Sequence, residues 1–153
     1  MATTGIDRSG AFGAEIVVQG LDSVLNGFDE VDPKLKRRLN RDLKSPVDTV
    51  AQTASRQVET RSPSSGTAEG YKVQRRGSSF KIVNRTRGAM ILEFAAVPHC
   101  PQGVSLVNTL NEKYGAPGRI LWDAWDTMEG WVTDRVASIV RDAESELDRL
   151  LDE

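Results

Sequence analysis

Residues 71–84, YKVQRRGSSFKIVN, separate a mixed fold from an all-helical one. Tyr71 and Val73 fall on one face of an extended segment, and Phe80 and Ile82 do the same beyond Gly77-Ser78. Alternation of period two on both sides of a Gly-Ser turn predicts a β-hairpin. One of its faces is buried and the other is rich in Lys and Arg. Set among helical segments, the hairpin predicts an α+β domain: a small antiparallel sheet, made of an N-terminal strand plus the hairpin, packed by a long kinked helix and a long C-terminal helix.

Upstream, AEIVVQGL (14–21) is a short β-branched run broken at Gly20, which supplies that first strand. The Gly- and Thr-rich residues before it read as a flexible arm over 1–14, leaving 15–153 as a single domain. Asp32 followed by Pro33 is a helix start, with a capping carboxylate and a proline at the first helical position. Leu35, Leu39, Leu43, Val47, Val50, Ala54 and Val58 then recur at spacings of three and four, one buried stripe on a helix to about residue 59. Pro46 within it predicts a kink or a split. TRSPSSGTAEG (60–70) reads as a long mobile loop.

Downstream of the hairpin, TRGAMILEFAAV (86–97) predicts a short helix ended by Pro98. Residues 98–118 read as a Pro/Gly-bounded excursion with at most one helical turn. From Arg119 onward the chain is helix-compatible to its end. The stripe there is Leu121, Ala124, Trp125, Met128, Val132, Val136, Val140, Ala143, Leu147 and Leu150. The three tryptophans stand near the start of this helix. At about 100° per residue Trp122 and Trp125 are about 60° apart, whereas Trp131 points roughly opposite Trp122. One helix face spans only about 100–140°, so Trp125, in line with Met128 and Val132, belongs to the core. Trp122 or Trp131 is then left for a subunit or partner contact.

The chain has 153 residues, 39% hydrophobic and 27% charged, enough for one core and not the composition of a disordered chain. A single cysteine, Cys100, excludes an internal disulfide. No leading apolar run resembles a signal peptide and no stretch has the length of a membrane span, so a soluble product made inside the cell and no membrane partner are expected. The net charge of −2 conceals a basic middle: Lys34 to Arg87 carries +10 and the remainder −12. Opposite potentials of this kind suit contacts between copies, or else are solvated faces of amphipathic helices.

Catalytic chemistry finds little footing. His99-Cys100 is the one place where nucleophile and base types meet, but adjacent side chains diverge and no second histidine exists. One His and one Cys fall short of a zinc site, and GAPGR lacks the lysine and preceding strand of a phosphate loop. No catalytic residue, metal or cofactor is therefore assigned. The NRT sequon at 84–86 has no meaning in a chain that is not exported. The basic residues of the middle, including Arg75 and Arg76 on the hairpin, could contact phosphate. The hairpin lacks exposed aromatics for stacking bases, so a nucleic-acid-binding accessory protein is the alternative rather than the first reading.

The order of parts, with NRTRGAMILEFA (84–95) and GAPGRILWDAWD (115–126), resembles the tail-completion and head–tail joining (neck) proteins of long-tailed, non-contractile phages, particularly those of actinobacterial hosts. Relatives carry a Glu-Phe-Gly-type segment after the hairpin and an apolar-Ala segment opening the last helix. Glu93-Phe94-Ala95 and Leu121-Trp122-Asp123-Ala124 stand at those points, with Ala95 where glycine is usual. The resemblance implies no enzyme activity. It implies a virion subunit, assembled in the host cytoplasm, that closes into a hexameric ring near the head connector. Neighbours would be the tail terminator, tail tube or connector, with at most weak contact to DNA in the lumen. Trp122, Trp131, Arg75 and Arg76 are the expected contact residues.

Overall fold

The computed structural model describes residues 4–7, 13–18, 21–62, 66–77, 79–93, 95 and 101–152. In chain order the elements are β1 (Thr4–Asp7), β2 (Gly13–Val18), α1 (Leu21–Val31), α2 (Pro33–Arg61), a 3-10 turn (Ala68–Gly70), β3 (Tyr71–Arg76), β4 (Ser79–Asn84), α3 (Arg87–Leu92), α4 (Pro101–Tyr114) and α5 (Leu121–Leu151). The α+β class stands, with a four-stranded antiparallel sheet in the order β1-β2-β4-β3.

The hairpin forms as its alternation dictates. Val73 lies opposite Ile82 and Arg76 opposite Ser79, and Gly77 turns the chain at φ 59°, where a side chain would be strained. Pairing with β2 makes β4 a central strand, and Phe80 and Ile82 are fully buried on its inner face. The register places Ile6, Ile16, Phe80 and Arg75 in one row, and Asp7, Glu15, Lys81 and Gln74 in the next. Arg75 is thus on the row of Phe80, the core-facing side, at its exposed end. Adjacent strand residues alternate faces, so Arg75 does not share the outer side of the sheet with Lys72 and Lys81.

α2 begins as expected, with Asp32 Oδ1 accepting the Lys34 backbone N–H at 2.8 Å. It continues as one helix through the buried Pro46, so the proline does not split it. Its stripe faces α5, which runs antiparallel to it. Arg38 meets Glu146 at 3.5 Å, Thr53 Oγ1 donates to Met128 Sδ at 3.1 Å, and Arg61 meets Asp123 at 3.6 Å. Leu39, Leu43, Val47, Val50 and Val58 from α2 interleave with Leu121, Trp125, Val132, Val136 and Val140 from α5. Each such buried side chain contributes about 1.5–3 kcal/mol against exposure. α5 is the longest helix, unbroken for 31 residues.

Five local readings need correction. Thr4–Asp7 is a strand paired to β2 rather than part of a loose arm, because strand stability comes from the neighbour more than from local composition. Residues 21–31, left unassigned, form α1, and Leu25 and Phe28 one turn apart are buried. The 98–118 excursion contains α4, a 14-residue helix: Pro101 is its first residue, and Gly115 at φ 88° ends it by donating to the Asn111 carbonyl. The prolines and glycines that suggested a loop are its punctuation. The end of the 60–70 loop is pinned. Thr67 is buried and its carbonyl accepts Asn84 Nδ2 at 2.7 Å, while Ser55 Oγ donates to the Ala68 carbonyl at 2.7 Å. α3 has Thr86 as its cap and ends at Leu92, five residues earlier than expected.

Candidate functional site

The two short segments that carried the resemblance meet in space. Glu93, directly after α3, is fully buried, and its carboxylate closes the start of α5. Oε2 accepts the Ile120 N–H at 2.9 Å and Oε1 accepts the Leu121 N–H at 3.0 Å. The Tyr71 hydroxyl donates to Oε1 from the first residue of β3. α5 has no capping side chain of its own at Ile120, so Glu93 supplies from a distance what Ser or Asp supplies locally in other helices.

Arg119 completes the centre from the turn before α5. Its guanidinium donates to the carbonyls of Gly115 (2.7 Å), Leu92 (3.0 Å), Glu93 (3.4 Å) and Ala95 (2.8 Å), and to Asn111 Oδ1 (2.6 Å). The Gly118 N–H donates to the Glu93 carbonyl at 2.5 Å. Gly118 is at φ 85°, and a Cβ there would overlap the Trp122 indole. The Gly-Ala-Pro-Gly turn therefore lets the Trp122 ring lie on the backbone.

Burial pushes the Glu93 carboxyl above the ordinary carboxylate range; the Tyr71 hydroxyl, the two backbone N–H groups and Arg119 pull against that rise. The Tyr71 phenol is likewise raised, first by burial and then by the neighbouring carboxylate. Both Glu93 oxygens are committed to donors within the fold, so the centre positions α3, α4 and α5. Neither Glu93 nor Arg119 was singled out as a centre from sequence. The available signals were a lone acid inside an apolar run (MILEFAAV) and a lone base inside APGRILW.

The expected contact residues occupy different surroundings. Trp125 is 1% exposed and belongs to the core, as its angular position demanded. Trp122 is partly buried against Gly118 and the core, while Trp131 is 49% exposed. Arg75 is exposed and folds back on its own hairpin, donating from Nε to the Gly77 carbonyl at 2.9 Å. The Arg76 side chain and the pair His99-Cys100 lie outside the described residues. Further exposed apolar side chains are Val104 and Leu106 on α4 and Ile91 on α3. A shallow groove between these helices is lined by Ile91, Leu92, Leu110, Lys113 and Tyr114.

The basic middle divides in two. Five cations of α2 are ion-paired within the chain: Lys36 with Asp29, Arg38 with Asp42 and Glu146, Arg41 with Asp42, Lys44 with Asp48, and Arg61 with Asp123. Among the described residues, Lys34, Arg37 and Arg56 of α2, and Lys72, Arg75, Lys81, Arg85 and Arg87 on or beside the hairpin, form no ion pair. Among the described residues there is also no cluster of three or more His, Cys, Asp or Glu able to hold a metal ion, and no helix is long and apolar enough to cross a membrane.

No protein-family model matches this chain, and neither a curated protein nor a solved structure does.

Proposed function

We propose that the chain is a non-enzymatic structural subunit of a phage virion, forming a ring that joins tail to head. The observation that carries this reading is Trp131. Its indole is 49% exposed on a helix whose other side holds Trp125 in the core. A large ring left half in water, on a rigid 31-residue helix, has the form of an interface anchor: wide contact area at little cost in rotamer freedom. Val104, Leu106 and Ile91, exposed on α4 and α3, add apolar surface of the same kind. The order of elements and the meeting of the Glu93 and Leu121 segments support the resemblance to neck proteins, and with it a hexameric ring touching the tail terminator, tail tube or connector.

The test is W131A, measured as purified subunit and in phage carrying the substitution. Truncating an interface tryptophan costs about 2 kcal/mol or more of association and little monomer stability. The expected result is an almost unchanged melting temperature together with loss of the protein from tails and of infectivity. Normal particles carrying W131A would overturn the reading.

A further inference from the structure

We propose that the outer face of the β3–β4 hairpin docks the acidic C-terminal turns of α5 from a second copy. The inference rests on the ring reading above and names the surfaces that would meet. It starts from the charges that the fold leaves over. Among the described residues five α2 cations are paired internally and Lys34, Arg37 and Arg56 are not; the other basic residues of the middle without an ion pair lie on or beside the hairpin. Lys72 lies on β3, Lys81 on β4, Arg85 just beyond β4, and Arg87 at the start of α3. The register puts Lys72 beside Val83 and Lys81 beside Gln74, on the side of the sheet away from Phe80 and Ile82. Lys72 and Arg85 flank a shallow depression floored by Val83, with Glu69 as its acid.

α5 holds the matching excess. Glu144, Asp148 and Asp152 are exposed, and none is ion-paired among the described residues. At spacings of four they follow one ridge of the helix end, about 12 Å long at 1.5 Å per residue. Lys81 and Arg85 are also four residues apart, about 13 Å along an extended chain, with Lys72 on the neighbouring strand between them. The two rows agree in length and oppose in sign.

Both rows belong to every copy but lie on different elements. Such a contact can repeat head-to-tail, the kind that closes a ring or continues as a filament. A nucleic acid is the weaker occupant. The chain is net negative, Asp7 and Glu15 occupy strand positions in the row of Lys81, and Glu69 sits in the depression. These acids leave too small a cationic excess for the many contacts an extended phosphate backbone makes. An acidic helix ridge needs only the three or four cations that are present.

A charge swap tests this on the full chain. Variant one is K72E/K81E/R85E and variant two is E144K/D148K/D152K, each checked by circular dichroism and melting. Should the first fail to fold, K72E/R85E replaces it. Sedimentation of the wild type between about 50 and 500 mM salt should show association that weakens as salt rises. Each variant alone should associate roughly tenfold more weakly or worse, and an equimolar mixture should regain wild-type association, because each reversed row then meets its complement. A wild type that stays monomeric, variants that associate normally, or a mixture that fails to recover would each overturn the proposal. So would a hairpin variant that associates normally but loses binding to a duplex of about 30 base pairs, which would make the face a phosphate-binding surface. The W131A phage experiment reads incorporation into tails instead, so a ring built through other surfaces would sink the docking proposal and leave the functional reading intact.

Discussion

Replacing Glu93 with alanine removes the acceptor of three buried donors at once: the N–H groups of Ile120 and Leu121 and the hydroxyl of Tyr71. A buried donor left without a partner costs about 1–3 kcal/mol, and losing a helix cap alone costs about 0.5–2 kcal/mol. The terms overlap, since two of the donors are the cap, and part of the loss is recovered because a carboxylate no longer has to be desolvated. Together they predict a destabilisation of about 3–5 kcal/mol, a large share of the roughly 5–15 kcal/mol that holds a domain folded. Glu93→Gln keeps one carbonyl oxygen but turns an NH2 toward a backbone N–H, and should cost about half as much. Urea unfolding followed by tryptophan fluorescence reads both values from the shift in midpoint at constant slope.

A pH series separates capping from mere packing. The Glu93 carboxyl is raised in the folded state above its ordinary value of 4.5, so the folded protein binds the proton more readily than the unfolded chain. Stability relative to Glu93→Gln is then greatest below that ordinary value and declines as pH rises through the folded-state value. An alanine cost under about 1 kcal/mol, or a wild-type advantage over glutamine that grows with pH, would refute this account of the centre.

Two further substitutions probe the core and the turn beside it. Trp125→Ala empties a 1%-exposed indole site between α2 and α5 and should cost about 3–5 kcal/mol in the same unfolding assay, far more than W131A. Gly118→Ala places a Cβ on the Trp122 ring at a φ of 85°. It should cost about 1–3 kcal/mol and shift the near-ultraviolet dichroism of the tryptophans, whereas Gly130→Ala, which meets open space within α5, should be neutral or slightly stabilising.

What the sequence disclosed was local and periodic. The α2 stripe from Leu39 to Val58, the Asp32–Pro33 start, the hairpin and the long α5 each declare themselves within their own residues, and the structure has all four. β1 was missed because a strand over Thr4–Asp7 depends on β2 beside it. α4 was missed because Pro101 and Gly115 resemble loop punctuation until a helix is seen between them. Splitting the tryptophans needed only the helical angle, and it correctly sent Trp125 inward. The Glu93–Arg119 centre was illegible for a different reason. Twenty-six residues separate the two in the chain, and a single acid in an apolar run does not announce which distant N–H groups it will accept from. The basic middle misled by its density: five of its cations are balanced by acids on α1, α2 and α5, pairings that a count along the chain does not show.

The position of Arg119 has an electrostatic corollary. A helix carries partial negative charge at its last carbonyls and partial positive charge at its first N–H groups. Arg119 places its cation on carbonyls at the ends of α3 and α4, Leu92 and Gly115 among them, while Glu93 places its anion on the opening N–H groups of α5. Three macrodipoles thus converge where one cation and one anion meet them with the favourable sign. The helix ends are consequently coupled: pulling any one away strands a charge beside the other two. In hydrogen exchange the amides of Glu93, Gly115, Gly118, Ile120 and Leu121 should open together as one cooperative unit, with a shared free energy, rather than fray in turn as isolated helix ends do.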